Sequence, residues 1–138
     1  MPATLSVYDE STAGDRGAPI VLRFPSEEIT VRELIRERVY QEVQDHNLRQ
    51  ADPSRLGDGT FRGLVQPKNA EPALDGYRMR EPREVDWREQ YELALEAFEA
   101  RRVIVLVNKR QADALDERVM VAPSTDVAFL KLVPLVGG

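Results

Sequence analysis

The chain has 138 residues and a formal net charge of −5, with one histidine and no cysteine. That length is one domain's worth of polypeptide, enough to bury a core without staples. The missing cysteine excludes disulfides, a thiol nucleophile and thiolate metal sites. The acidic balance argues against nucleic acid or an anionic membrane as a main partner.

The lone His46 leaves imidazole catalysis or a multi-histidine metal site almost nothing to work with. No run approaches the roughly 20 apolar residues of a membrane helix. Met1-Pro2-Ala3-Thr4 has neither the basic flank nor the apolar stretch of a signal peptide. The expected location is cytoplasmic, in keeping with the cysteine usage.

Thr4 to Tyr8 alternates polar and apolar residues, as a half-buried strand does. After a loop over Ser11 to Gly17, Pro19 to Phe24 forms a second strand, with Ile20, Leu22 and Phe24 as its better inward face. Thr30-Val31-Arg32-Glu33 fits a capping box. Val31, Leu34, Ile35 and Val39 then recur at helical spacing, and the helix is expected to fade near His46-Asn47. Residues 47–83 lose periodicity and are rich in proline and glycine. They read as an insertion, loop-like or partly disordered, with short strands only at Thr60 to Gln66 and Tyr77 to Arg80. Phe61, Leu64, Val65 and Tyr77 are expected to pack down.

A second helix is predicted from about Glu84 to Arg102, with Tyr91, Ala94, Leu95 and Phe98 as its apolar stripe and Trp87 one turn earlier. Val103 to Val107 is a continuous β-branched run, the mark of a strand covered on both faces. Arg118 to Val121 and Ala128 to Val133 complete the strands. Pro134 ends pairing, because it has no amide hydrogen for a ladder.

Two stretches resemble the ubiquitin-like β-grasp superfamily. Ile20 to Ile35 is similar to the second strand, turn and helix start of ubiquitin and its relatives. Val105-Leu106-Val107-Asn108, Asp126-Val127-Ala128-Phe129-Leu130 and Val133-Pro134-Leu135-Val136-Gly137-Gly138 resemble the MoaD branch of the sulfur carriers. Those proteins carry a V-N-G turn, a D-E-V-A-F strand and a P-P-V-A-G-G ending. Here Lys109 stands in place of the turn glycine, and Lys131-Leu132 lengthens the path from strand to tail.

The resemblance implies an α+β, ubiquitin-like β-grasp domain over residues 1–138. A mixed sheet of four to five strands packs on helices, with the insertion at 47–83 and a flexible tail at 134–138. It also implies a chain that is the substrate of chemistry, not an enzyme. The reactive group is the Gly138 carboxylate, activated by an adenylating enzyme of the ubiquitin-activating, MoeB or ThiF type. ATP and Mg²⁺ sit on that partner, and no cofactor or metal is bound here. Gly137 and Gly138 lack a Cβ, so backbone and α-phosphate can approach closely. Pro134 stiffens the exit, and Leu135 and Val136 offer apolar anchors. The downstream partner is a target protein or a sulfur-accepting synthase, and a peptidase can process the C-terminus.

Three outcomes stay open. The tail is conjugated to a target, as ubiquitin is; or it becomes a thiocarboxylate, as in MoaD and ThiS; or the domain is a non-covalent interaction module. Larger size and the insertion lean toward the modifier. Val127, Phe129 and Val133 share one parity of the last strand and are a candidate docking face. Coverage by residues 47–83 is the alternative.

Other polar residues read as structural. His46 is expected to cap a helix end. Asp113, Asp116, Glu117 and Asp126 lack the spacing of a calcium loop and read as a solvated face. Trp87, Tyr91 and Phe98 read as core. Three lysines, Lys68, Lys109 and Lys131, stand against sixteen arginines. Were the chain to modify lysines, Lys68 would be the first candidate for self-attachment.

Overall fold

Strand β1 (Ala3–Glu10) alternates as its sequence requires, with Leu5 and Val7 turned into the core. The computed structural model describes residues 2–51, 60–61, 63–68, 70–73, 76–79 and 85–132. Antiparallel β2 (Ile20–Phe24) sets Leu22 opposite Leu5, and its Val21 points outward. On its other side β1 pairs in parallel with β10 (Val127–Lys131), Val7 opposite Val127. β7 (Val103–Val107) lies antiparallel to β10, and the short β8 (Arg110–Gln111) closes the far edge. The order is β2-β1-β10-β7-β8, so the last strand lies at the centre of a mixed five-stranded sheet.

Helix α1 (Val31–Ala51) begins where the capping residues put it. The Glu33 amide donates to Thr30 Oγ1 at 3.2 Å. The Thr30 hydroxyl donates to the Glu33 carboxylate at 3.3 Å, so the glutamate accepts from the cap's side chain. Two further helix-start amides find partners far along the chain. Val31 N donates to the Glu117 carbonyl at 2.9 Å and Arg32 N to that of Leu115 at 3.0 Å. Such amides have no intrahelical acceptor. The same stretch pairs β3 (Glu28–Thr30) with β9 (Arg118–Met120) in a separate two-stranded sheet.

α1 does not fade at His46-Asn47; it runs on to Ala51. The Asn47 side chain donates to the Val85 carbonyl at 3.1 Å and accepts from its amide at 2.9 Å. His46 is buried, with its ring edge-on to Phe61 at 5.2 Å. These tertiary partners sustain the extra turn, and they replace the expected helix-end role of His46.

The region between the helices holds more structure than its composition suggests. β4 (Thr60–Phe61), β5 (Ala70–Ala73) and β6 (Gly76–Met79) form an antiparallel sheet in the order β4-β6-β5. β5 was not legible because Pro72 breaks the strand pattern, and such a residue is tolerated only on an edge. Phe61, Leu64 and Val65 join the main buried cluster.

Helix α2 (Trp87–Glu99) is shorter than predicted at both ends. Asp86 caps it, accepting from Arg88 N at 3.0 Å. Arg101 adopts φ 61°, while Arg101 N bonds Phe98 O and Arg102 N bonds Ala97 O. That is a Schellman ending, here without its usual glycine. Phe98 is buried, whereas Trp87 and Tyr91 are only partly so. Trp87 stacks edge-on with the exposed Tyr40 instead.

Candidate functional site

Val133, Pro134, Leu135, Val136, Gly137 and Gly138 lie outside the described residues. The site that can be built is the root from which they follow, the end of β10. There Lys131 pairs with Val103, and Leu132 N donates to the Arg102 carbonyl at 2.8 Å.

Three inward-facing periodicities turn charged at this end of the core. On β1 the series Leu5, Val7 ends in Asp9; on β10 the series Val127, Phe129 ends in Lys131. On α1 the apolar row at Leu34 continues at four-residue steps through Arg38, Glu42 and His46. Arg38 is fully buried. Its Nη2 donates to Asp9 Oδ2 at 3.0 Å; Nη1 bonds Asp9 Oδ1, and Nε bonds Glu42 Oε1. Its guanidinium lies 4.7 Å over the Phe129 ring.

The second Glu42 oxygen accepts from Leu64 N at 3.0 Å. Lys131 Nζ donates to Gly63 O at 2.8 Å and stands 5.9 Å over the Tyr77 ring. The Gly63 carbonyl and the Leu64 amide are two halves of one peptide group. An acid from α1 and an ammonium from β10 therefore hold the same peptide bond. Gly63 is required there: a Cβ would lie 2.1 Å from the buried Phe61 ring.

Burial governs the titration of this cluster. It pushes the Glu42 carboxyl up, against the opposing pull of Arg38, the Leu64 amide and Lys131. It pushes the Lys131 ammonium down, with Asp9 and Glu42 resisting and Arg38 adding to the fall. Burial and then Glu42 push the Tyr77 hydroxyl up. For Arg38, burial is outweighed by Glu42 and Asp9, so the guanidinium is held charged. Two charges of each sign thus meet at the end of β10. Their arrangement holds the backbone of residues 63 and 64 in place.

The opposite end of the sheet is fastened by the turn after β7 and the residue before β10. Asn108 and Lys109 form a two-residue turn between β7 and β8, at φ 51° and 68°. Asn108 Oδ1 accepts from Asp126 N at 2.9 Å, and Asn108 N donates to Asp126 O at 2.7 Å. Arg16 grips both Asp126 oxygens at 2.7 Å. Asp126 is therefore paired rather than merely solvated, and Arg16 holds its carboxyl below the usual range.

The proposed docking face needs correction. Val127 and Phe129 are 0% exposed, because their side of β10 faces α1 and the core. The other face is less closed, although Ala128 on it is also fully buried. There Leu130 lies opposite Ile104, both half-buried, and Val21 is 51% exposed. Asp113 and Asp116 are exposed, as expected of a solvated face, and rim a half-open cleft of about 350 Å³ over Phe98, Val103 and Leu115. Among the described residues no group of three or more His, Asp or Glu could hold a metal ion. Nor is any described helix long and apolar enough to cross a membrane. Lys68 and Lys109 are exposed, whereas the Lys131 amine is engaged in the core.

The charged cluster was missed in the sequence because each member looks ordinary alone. The signal was the continuation of the inward spacing into Asp9, Arg38, Glu42 and Lys131. Compared with models of known families, with curated proteins and with solved structures, the chain matches none.

Proposed function

We propose that the chain is a ubiquitin-like protein modifier with a β-grasp fold. Its Gly138 carboxyl would be adenylated by an activating enzyme that carries ATP and Mg²⁺, then joined to a target protein. The observation that carries this reading is the sheet. Its first and last strands, β1 and β10, lie parallel at the centre, a hairpin precedes α1, and in the sequence Pro134 to Gly138 follow β10 after Leu132 and Val133. Adenylation replaces a poor leaving oxygen with AMP, and the tail's glycines let it enter a narrow slot. The chain supplies the acyl group; the partner supplies positioning and charge stabilisation.

A second reading is favoured by one contact. Asn108 and Asp126 come from two of the three segments that resemble the MoaD branch, and they bond each other twice. That supports a sulfur carrier, in which sulfur replaces one oxygen of the activated carboxyl. In either case a partner enzyme would approach on the outer sheet face near Val21 and Leu130.

Intact mass spectrometry of the protein from its host, with a blot of the same lysate, tests these readings. A ladder of heavier species that disappears in Gly138→Trp supports the modifier. A mass gain of one sulfur for one oxygen supports the carrier. If only the unmodified mass appears in every growth condition, both fail and a non-covalent module becomes the better account.

A further inference from the structure

We propose that Phe61, Gly63, Leu64 and Val65 belong to a strap latched at the Gly63–Leu64 peptide group, and that the strap and the end of β10 open as one unit. The geometry sets this arrangement apart from ordinary loop packing. Most strap contacts lead back to the helices. His46 meets the Phe61 ring, Glu42 accepts from Leu64 N, and Gln90 Nε2 donates to Val65 O at 3.1 Å. Lys131 alone, among the described residues, carries a hydrogen bond from the strap to the central strand. It does so at the last residue of β10, one position before the Leu132 amide that closes against Arg102.

Two consequences follow. If the strap lifts, the Gly63 carbonyl and Leu64 amide leave together, because they belong to one planar unit. Lys131 then loses the carbonyl that partners its buried ammonium, and the favourable outcome for that charge is to turn to water. Among the described residues, the Leu132 amide bond to the Arg102 carbonyl is the one backbone bond that follows the Lys131–Val103 pair, so this end of the strand loosens with the strap. The reverse also holds, since coupling between two openings is reciprocal. The strap thereby controls the root of the C-terminal segment. This goes beyond the modifier reading and does not depend on it, since the coupling belongs to the folded chain whether or not its tail is activated.

Native-state amide hydrogen exchange by NMR on the full chain tests it, with each variant read at the far side of the latch. Gly63→Ala pushes against the Phe61 ring and leaves Lys131 untouched. It is expected to raise exchange at the Leu132 amide by about tenfold or more, the worth of a hydrogen bond to a charged group. Lys131→Met is expected to raise exchange at the Leu64 amide similarly, while Leu5 and Leu22 in the first hairpin keep their protection. Exchange that rises only on the mutated side overturns the proposal. Where a variant fails to fold, the wild-type chain in low urea gives the answer. Leu64 and Leu132 should open with one common urea dependence, and distinct slopes overturn it.

Discussion

Arg38 and Asp9 join the middle of α1 to the end of β1 through both carboxylate oxygens, with Nη2 to Oδ2 at 3.0 Å. The arginine side chain is 0% exposed and the aspartate 39%, so the pair bridges core and solvent. Glu42, 7% exposed, depends on the same guanidinium. Removing one partner of a buried pair strands the other. Arg38→Met is expected to lower stability by about 3–5 kcal/mol in urea titration. Arg38→Met with Glu42→Gln, which keeps an acceptor for Leu64 N, should recover much of that loss. Equal destabilisation in the single and double variants would show that the stranded carboxylate is not the cause.

At the hairpin tip, Lys109 holds φ 68° after Asn108 at 51°. A left-handed residue with a Cβ carries a penalty of roughly 1–2 kcal/mol, which glycine avoids at some cost in unfolded-chain entropy. Lys109→Gly is expected to stabilise the protein by about 0.5–1 kcal/mol, measured by thermal unfolding. Asn108→Ala, which keeps the strained turn and loses the bond to Asp126 N, should destabilise it. A destabilised Lys109→Gly would mean that the lysine side chain holds the turn in some further way.

Asp126 ionises more readily in the folded chain than in the unfolded one, because Arg16 bonds both of its oxygens. Its contribution to stability is therefore present above the unfolded carboxyl value, about 3.9, and is lost as pH falls through the lowered folded value. Thermal unfolding of wild type and Asp126→Asn should converge as pH falls below about 4. Side-chain exposures of 32% and 33% for the pair mean that salt will narrow the gap. A gap that stays constant down to low pH would contradict the assignment.

Glu42 titrates with the opposite sign. Burial raises its pKa, so the folded chain takes up a proton more readily than the unfolded one. Its contribution is present below the unfolded value, about 4.3, and is lost as pH rises through the raised folded value. The stability of wild type relative to Glu42→Gln should fall across that window, by at most about 1.4 kcal/mol per pH unit. A relative stability that climbs with pH there would show that Arg38 outweighs burial.

The strands were legible because their apolar residues alternate or run together: Leu5 and Val7, Ile20 to Phe24, Val103 to Val107. Helix starts were legible where a cap is local, as at Thr30 and Glu33. Helix ends were not. The end of α1 depends on Asn47 meeting Val85, and the end of α2 on Arg101 adopting a left-handed turn without glycine. β5 was hidden by Pro72, and the strap by the glycine and proline content around it.

By itself, the sequence determined which residues share a face. Periodicity places Asp9, Arg38, Glu42 and Lys131 on the same faces as their apolar neighbours, since side-chain direction follows from backbone geometry alone. Only the tertiary structure decided that these four charges meet, and that two of them grip one peptide group of a segment with no periodic pattern. It also decided that Val127 and Phe129 face the helix rather than a partner. A two-residue period says that two faces differ, and packing alone says which of them is covered.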